Sequence, residues 1–105
     1  MASSPTSRSL ETLRNAGYLV AVVEHWNPYA RIRQDLFGII DLLAIRPGET
    51  LAVQTTSKGN MSARAAKIAE SEAIGTIRAA GWKIHIHGWA KGKDGKWAVK
   101  VQDVS

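Results

Sequence analysis

Asp41 is the residue most out of keeping with its surroundings. It stands in Gly38-Ile39-Ile40-Asp41-Leu42-Leu43-Ala44-Ile45, where every other position is apolar or glycine. A carboxylate in such a run is costly unless it is paired, hydrogen-bonded or bound to a cation. Further on, in Leu51-Ala52-Val53-Gln54-Thr55-Thr56-Ser57-Lys58, strand alternation puts Gln54, Thr56 and Lys58 on one face, with Leu51 and Val53 on the core side. A turn at Pro47-Gly48 closes the two segments into a hairpin and brings Gln54 near Asp41. Glu11, on an N-terminal helix, can reach the same edge. These acids and an amide oxygen form a ligand set suited to Mg²⁺ or Mn²⁺, which take oxygen ligands. Such an ion stabilises a scissile phosphate and activates an attacking water. The plainer alternative makes Asp41 a structural residue that caps a turn or pairs with an arginine.

Cations lie near these residues. Lys58 follows on the same strand face, and Arg64 and Lys67 stand on one side of the next helix. Arg31 and Arg33 precede the Asp41 segment and can touch phosphate or simply pair with Asp35. Asp35 is the second choice of acid: it shares a face with Asp41 if the strand reaches back that far, whereas Gly38 permits a bend. Glu24, at the end of a strand, is expected at the surface. His85 and His87 share a strand face, and His25 is a third imidazole, yet no spacing fixes a third zinc ligand. Trp26, Trp82, Trp89 and Trp97 can stack on unpaired bases. The chain has only four Trp, two Tyr and one Phe, so a structural role is the default for each.

The elements that must position these residues follow from periodicity. Ser9 to Ala16 reads as a helix with Leu10, Leu13 and Ala16 on one face, Ser7 or Ser9 as its cap and Gly17 as its stop. Leu19 to His25 reads as a strand, and Asn27-Pro28 opens a loop that carries Arg31 and Arg33. Phe37 to Ile45 and Thr50 to Thr56 are the next strands. Gly59-Asn60 breaks the chain, and Ser62 can cap a long helix from Ala63 to about Ala80, closed by Gly81. Trp82 to Trp89 alternates, with Ile84 and Ile86 opposite His85 and His87. Asp94-Gly95 marks a hairpin into a last strand, Trp97 to Val101. The order is α-β-β-β-α-β-β, an α/β class with a mixed sheet and helices packed on it.

The 105 residues fit a single domain, with residues 1–7 expected to be disordered. The formal charge is +5 and is unevenly placed. Residues 1–57 hold five Lys/Arg and five acids, whereas residues 58–105 hold nine against four. A basic half beside a balanced one fits a polyanion, though a well-solvated surface has the same composition. With no cysteine, disulfides and thiolate metal sites are excluded. The N-terminus has no apolar h-region, and no run approaches the roughly 20 apolar residues of a membrane helix. The expected location is the cytoplasm, in a bacterial or phage-infected cell.

Taken in order, an acid on the first helix, a Gly-x-x-Asp strand, a turn, and a Gln54-Thr55-Thr56 strand before a helix resemble PD-(D/E)xK nucleases. Within that superfamily the chain is similar to small archaeal Holliday-junction resolvases and to virus-repair-replication nuclease domains. Similar short proteins occur in phages. The resemblance spans roughly Ser9 to Trp89. It implies a restriction-endonuclease-like α-β-β-β-α-β core with one extra C-terminal strand, and a metal-dependent DNA endonuclease that leaves a 5′-phosphate. Branched or structured DNA is a substrate class it fits.

Carried over by position, Glu11 is the helix acid, Asp41 the central metal ligand, Gln54 the stand-in for the second acid, and Thr56 the residue in the lysine's place. Both of the last two depart from the pattern. Gln54 can ligate without charge, and Thr56 supplies no cation to the phosphate. Lys67, or else Lys58, is the replacement the superfamily allows. The same substitutions suit a DNA-binding module that keeps the fold without catalysis, and a plain interaction domain is a third reading. Two cuts on a junction imply a homodimer, and the Trp97 to Val101 edge could pair with a partner.

Overall fold

The computed structural model describes residues 4–105. The elements are α1 (Pro5–Asn15), β1 (Leu19–Val22), β2 (His25–Asn27), β3 (Ile32–Gln34), β4 (Leu42–Arg46), β5 (Glu49–Ser57), α2 (Met61–Ala69), α3 (Ile74–Ala79), β6 (Lys83–Lys91) and β7 (Trp97–Asp103). Five strands form one sheet in the order β1-β4-β5-β6-β7. β5 and β6 run parallel, and the other neighbours run antiparallel. A parallel pair needs a crossover, which α2 and α3 supply. The result is an α/β fold on a mixed sheet. Among the described residues β2 and β3 pair only with each other, as a separate ribbon.

The sheet is covered on both faces. Leu13 of α1 packs with Val20, Leu42, Ala44, Leu51 and Val53 on one side. On the other, Met61, Ile68, Ile74 and Ile77 pack with Ala52, Ile84 and Ile86, and with Ile39 and Ile40. Leu51 and Val53 therefore lie under α1, and Ala52 lies under α2 and α3, so alternation puts Gln54 and Thr56 on the α2 side. Gly88 lets α2 approach closely. A Cβ there would lie 2.2 Å from Met61 Sδ and 3.1 Å from Lys58 Cα.

Several elements differ from expectation. α1 begins at Pro5, because Ser4 and Ser7 form a reciprocal capping box and Pro5 stands in the first turn. Residues 4–7 are thus the cap and start of a helix, not disordered, while residues 1–3 lie outside the described ones. The first strand stops at Val22, and the expected loop around Arg31 and Arg33 is the β2–β3 ribbon. The Asp41 strand starts only at Leu42. Phe37 and Gly38 both have positive φ, 54° and 76°, and reverse the chain. Gly38 N donates to Asp35 O at 2.9 Å, and Leu36 N donates to Ile40 O at 2.9 Å, closing that loop.

The expected long helix is two, because Ser71 Oγ accepts from Ala73 N at 3.1 Å and offers the backbone an alternative to the helix. Ser62 does not cap; α2 starts at Met61, two residues before the expected Ala63, after Asn60. The β6–β7 hairpin turns at Asp94-Gly95 as expected, with Lys96 N donating to Asp94 Oδ1 at 3.0 Å, and β7 runs on to Asp103. Among the described residues no helix is long and apolar enough to cross a membrane.

Candidate metal and phosphate site

Asp41 sits one residue before β4, still inside the sheet. Its N–H donates to Val53 O and its carbonyl accepts from Val23 N, both at 2.9 Å. The residue is 3% exposed. Its Oδ2 accepts from Gln54 Nε2 at 2.7 Å, Thr55 N at 2.8 Å and Thr55 Oγ1 at 3.1 Å. Thr55 Oγ1 also lies 2.8 Å from Thr6 Oγ1. A hydroxyl has one hydrogen to give, so with Thr55 donating to Asp41, Thr6 donates to Thr55. The first turn of α1 is thereby tied to the site.

Two further acids converge on Asp41. The loop over Leu36 to Ile40 folds Asp35 back beside it, and Glu24 arrives from the residue before β2. Oxygens of Glu24, Asp35 and Asp41 all lie within 4.8 Å of one another. Burial, and then Asp35 and Glu24 as neighbouring acids, push the Asp41 carboxyl up to about 8, against the lowering pull of the Thr55 N–H. Asp35 and Glu24 each have a basic neighbour: Lys67 Nζ lies 3.5 Å from Asp35, and Arg33 Nη1 lies 3.8 Å from Glu24. The acids open into a cleft of about 570 Å³, whose walls include Thr6, Thr56, Asn60, Arg33, Arg64 and Lys67.

Gln54 is 3% exposed, and among the described residues its Oε1 has no hydrogen-bond partner. A buried acceptor left in that state is costly. It sits on a side chain that lines the cleft and already touches Asp41. Carboxylates with an amide oxygen are hard donors of the kind that hold Mg²⁺ or Mn²⁺. Among the described residues the acid trio is the cluster of potential metal ligands.

The expected site residues divide. Gln54 reaches Asp41 as expected, though through its amide nitrogen. Thr56 is buried and lines the cleft, as do Lys67, Arg64 and Arg33. Glu11 is not beside Asp41. It is exposed on α1 and lines a separate groove with Arg8, Thr12, Trp89 and Trp97. Five residues beyond Thr6, it lies roughly 7–8 Å further along the axis and well around the helix. Asp35 and Glu24 take its place in the acid set, and Glu24 is half-buried rather than a surface residue. Lys58 is exposed in a 3₁₀ turn, and Arg31 in the ribbon turn; neither lines the cleft.

The histidines do not gather. Burial, with His85 a lesser cause, pushes His87 down to about 4. Its Nδ1 lies 2.8 Å from Ser9 Oγ, which accepts from Trp89 Nε1 at 2.9 Å. The Ser9–His87 hydrogen bond ties α1 to β6. His85 faces Asp103 at 3.7 Å, and His25 lies on the ribbon. Comparison of the chain with protein families, curated proteins and solved structures gave no match.

Proposed function

We propose that the chain is a divalent-metal-dependent DNA endonuclease of the PD-(D/E)xK type, with Asp41, Asp35 and Glu24 as its acid set. The observation that carries this reading is a buried carboxyl held in place by three hydrogen bonds at Oδ2 and facing two more acids. The element order supports it too. α1, an antiparallel β1–β4–β5 meander and a helical crossover to a parallel β6 are consistent with the core that the resemblance implies. The basic second half of the chain supplies a polyanion-binding surface.

The chain's own groups divide the work. Gln54, Thr55 and Thr6 fix the Asp41 carboxylate beside Asp35 and Glu24. Those acids would hold Mg²⁺ or Mn²⁺, which supplies positive charge to a phosphate oxygen and acidity to a bound water. Lys67 replaces the cation that Thr56 lacks. Lys67 Nζ, 3.5 Å from Asp35, would steady the charge developing at phosphorus. Arg33 and Arg64 line the same cleft and hold the backbone on either side.

The second reading is a DNA-binding module that has kept this fold without catalysis. It is favoured by Gln54 Nε2, a donor aimed at Asp41 where the pattern has a second carboxylate. The test is cleavage of labelled single-stranded, duplex, flap and four-way-junction DNA in EDTA, Mg²⁺ or Mn²⁺, with Asp41→Asn and Lys67→Ala in parallel. Metal-dependent cutting that vanishes in the first variant and falls in the second is expected. Salt-sensitive binding without cutting in either metal would select the second reading.

A further inference from the structure

The β2–β3 ribbon leaves the sheet and returns to it at the acids of the cleft. Glu24 immediately precedes β2, and Asp35 immediately follows β3. The ribbon buries little of itself: its three cross-strand pairs are His25 with Gln34, Trp26 with Arg33 and Asn27 with Ile32, and of these six residues only Asn27 is half-buried, the others being exposed. Yet it carries Trp26, 56% exposed, and Tyr29, 98% exposed. A scattered exposed aromatic needs no explanation. Here both occur on one short arm with Arg31 and Arg33, and that arm begins and ends at carboxylates of the cleft.

The tip of the arm is built rather than loose. Asn27 Oδ1 accepts from Tyr29 N at 3.0 Å and Ala30 N at 3.2 Å, and Asn27 O accepts from Arg31 N at 2.8 Å. Arg31 closes the turn with a φ of 55°, a conformation uncommon outside glycine. Tyr29 is therefore presented to solvent by a pinned backbone, and Trp26 pairs across the ribbon with Arg33, the residue that also lines the cleft. Phe37, exposed at the base, lies 6.5 Å from Trp82 and is explained by that contact.

We infer that this ribbon is a nucleic-acid-binding arm whose occupant is a single-stranded stretch of the substrate, with Trp26 and Tyr29 stacking on unpaired bases and Arg31 and Arg33 holding their phosphates. The inference rests on the nucleic-acid reading of the cleft and extends it to the substrate class. Aromatic rings select unpaired bases because a duplex hides its base faces, and stacking does not depend on sequence. Three paired residues at about 3.3 Å each set the tip roughly 10 Å from the acids. That is two to three nucleotides at the roughly 3.4 Å stacked spacing, so the substrate has unpaired bases that close to the cut.

The test is equilibrium binding, with Ca²⁺ replacing Mg²⁺, to a labelled oligothymidylate and to a blunt duplex of equal length. Wild type, Trp26→Ala, Tyr29→Ala, the double variant and Tyr29→Phe are compared, with circular dichroism as the fold control. Each alanine variant is expected to weaken oligothymidylate binding about tenfold or more, the range found for loss of a stacked base. Duplex binding stays within about twofold, and Tyr29→Phe retains wild-type affinity. Wild type that binds both DNAs, with alanine variants unchanged on oligothymidylate, overturns the arm while leaving the nuclease reading intact. Wild type that binds neither DNA ends both. Alanine variants that instead change the sedimentation of the protein alone would make the arm a contact between copies, and also overturn it.

Discussion

Replacing Asp41 by asparagine is expected to stabilise the metal-free protein, by an amount that grows with pH. An amide oxygen can take the three hydrogen bonds now made to Oδ2, and an amide N–H can face Asp35 without charge. In the wild type the carboxyl is raised from 3.8 to about 8. Between those values the folded state holds a proton that the unfolded state has released, so stability falls as pH rises, by at most about 1.4 kcal/mol per unit. His87 acts in the opposite sense. Lowered from 6.5 to about 4, it is neutral in the fold while the unfolded chain holds its proton, so its contribution rises over that interval. The two cancel in the wild type below about pH 6.5, and Asp41 alone acts from there to about 8. The variant should instead gain stability up to about pH 6.5 and then level off. Glu49 and Asp103, both held low by hydrogen bonds, titrate below this window.

The His87 contribution is common to both proteins, so their difference isolates Asp41. From pH 5 to 7 it should grow by about 3 kcal/mol, more than about 10 °C in Tm for a domain of this size. Urea unfolding in EDTA at pH 5, 6, 7 and 8 measures it. A difference that does not change with pH would refute the raised carboxyl.

Three other outcomes follow. Gln54→Glu restores the acid of the pattern and should tighten Mn²⁺ binding about tenfold or more, since affinity follows ligand charge, while lowering metal-free stability; calorimetry and urea unfolding separate the effects. Ser9→Ala leaves His87 Nδ1 and Trp89 Nε1 without their shared partner and should cost about 1–3 kcal/mol, read as a lower urea midpoint. Gly88→Ala should cost a similar amount, about 1–3 kcal/mol, read from the thermal midpoint. The Met61 thioether can move away from the new methyl, but Lys58 Cα, 3.1 Å off, is backbone.

The sheet was legible because its strands are long apolar or alternating runs with strong turns between them. Pro47-Gly48 and Asp94-Gly95 set two hairpins, and Ile84 and Ile86 fall opposite His85 and His87. Asp41 was legible for the same reason: one carboxylate in an apolar run has few explanations. Its partners were harder to find. Asp35 reaches it only because two successive left-handed residues fold the chain back, and one of them is Phe37, a residue type that seldom adopts that conformation. Glu24 comes from the far side of a ribbon whose strands are too short to show a period. Thr6 was within reach of the sequence, since Ser4-Pro5 is a start signal that places the following threonine in the first turn of α1. Glu11 failed because helical phase carries it away from that turn.

The most direct test of the central claim is Mn²⁺ binding followed by electron paramagnetic resonance, for wild type and Asp41→Asn at pH 6 and pH 7. If Asp41, Asp35 and Glu24 form the cation site, the wild type binds one ion and releases the Asp41 proton. Affinity should then be about tenfold higher at pH 7 than at pH 6, and Asp41→Asn should bind far more weakly at both. Equal binding by the two proteins, or no binding at all, would contradict the account.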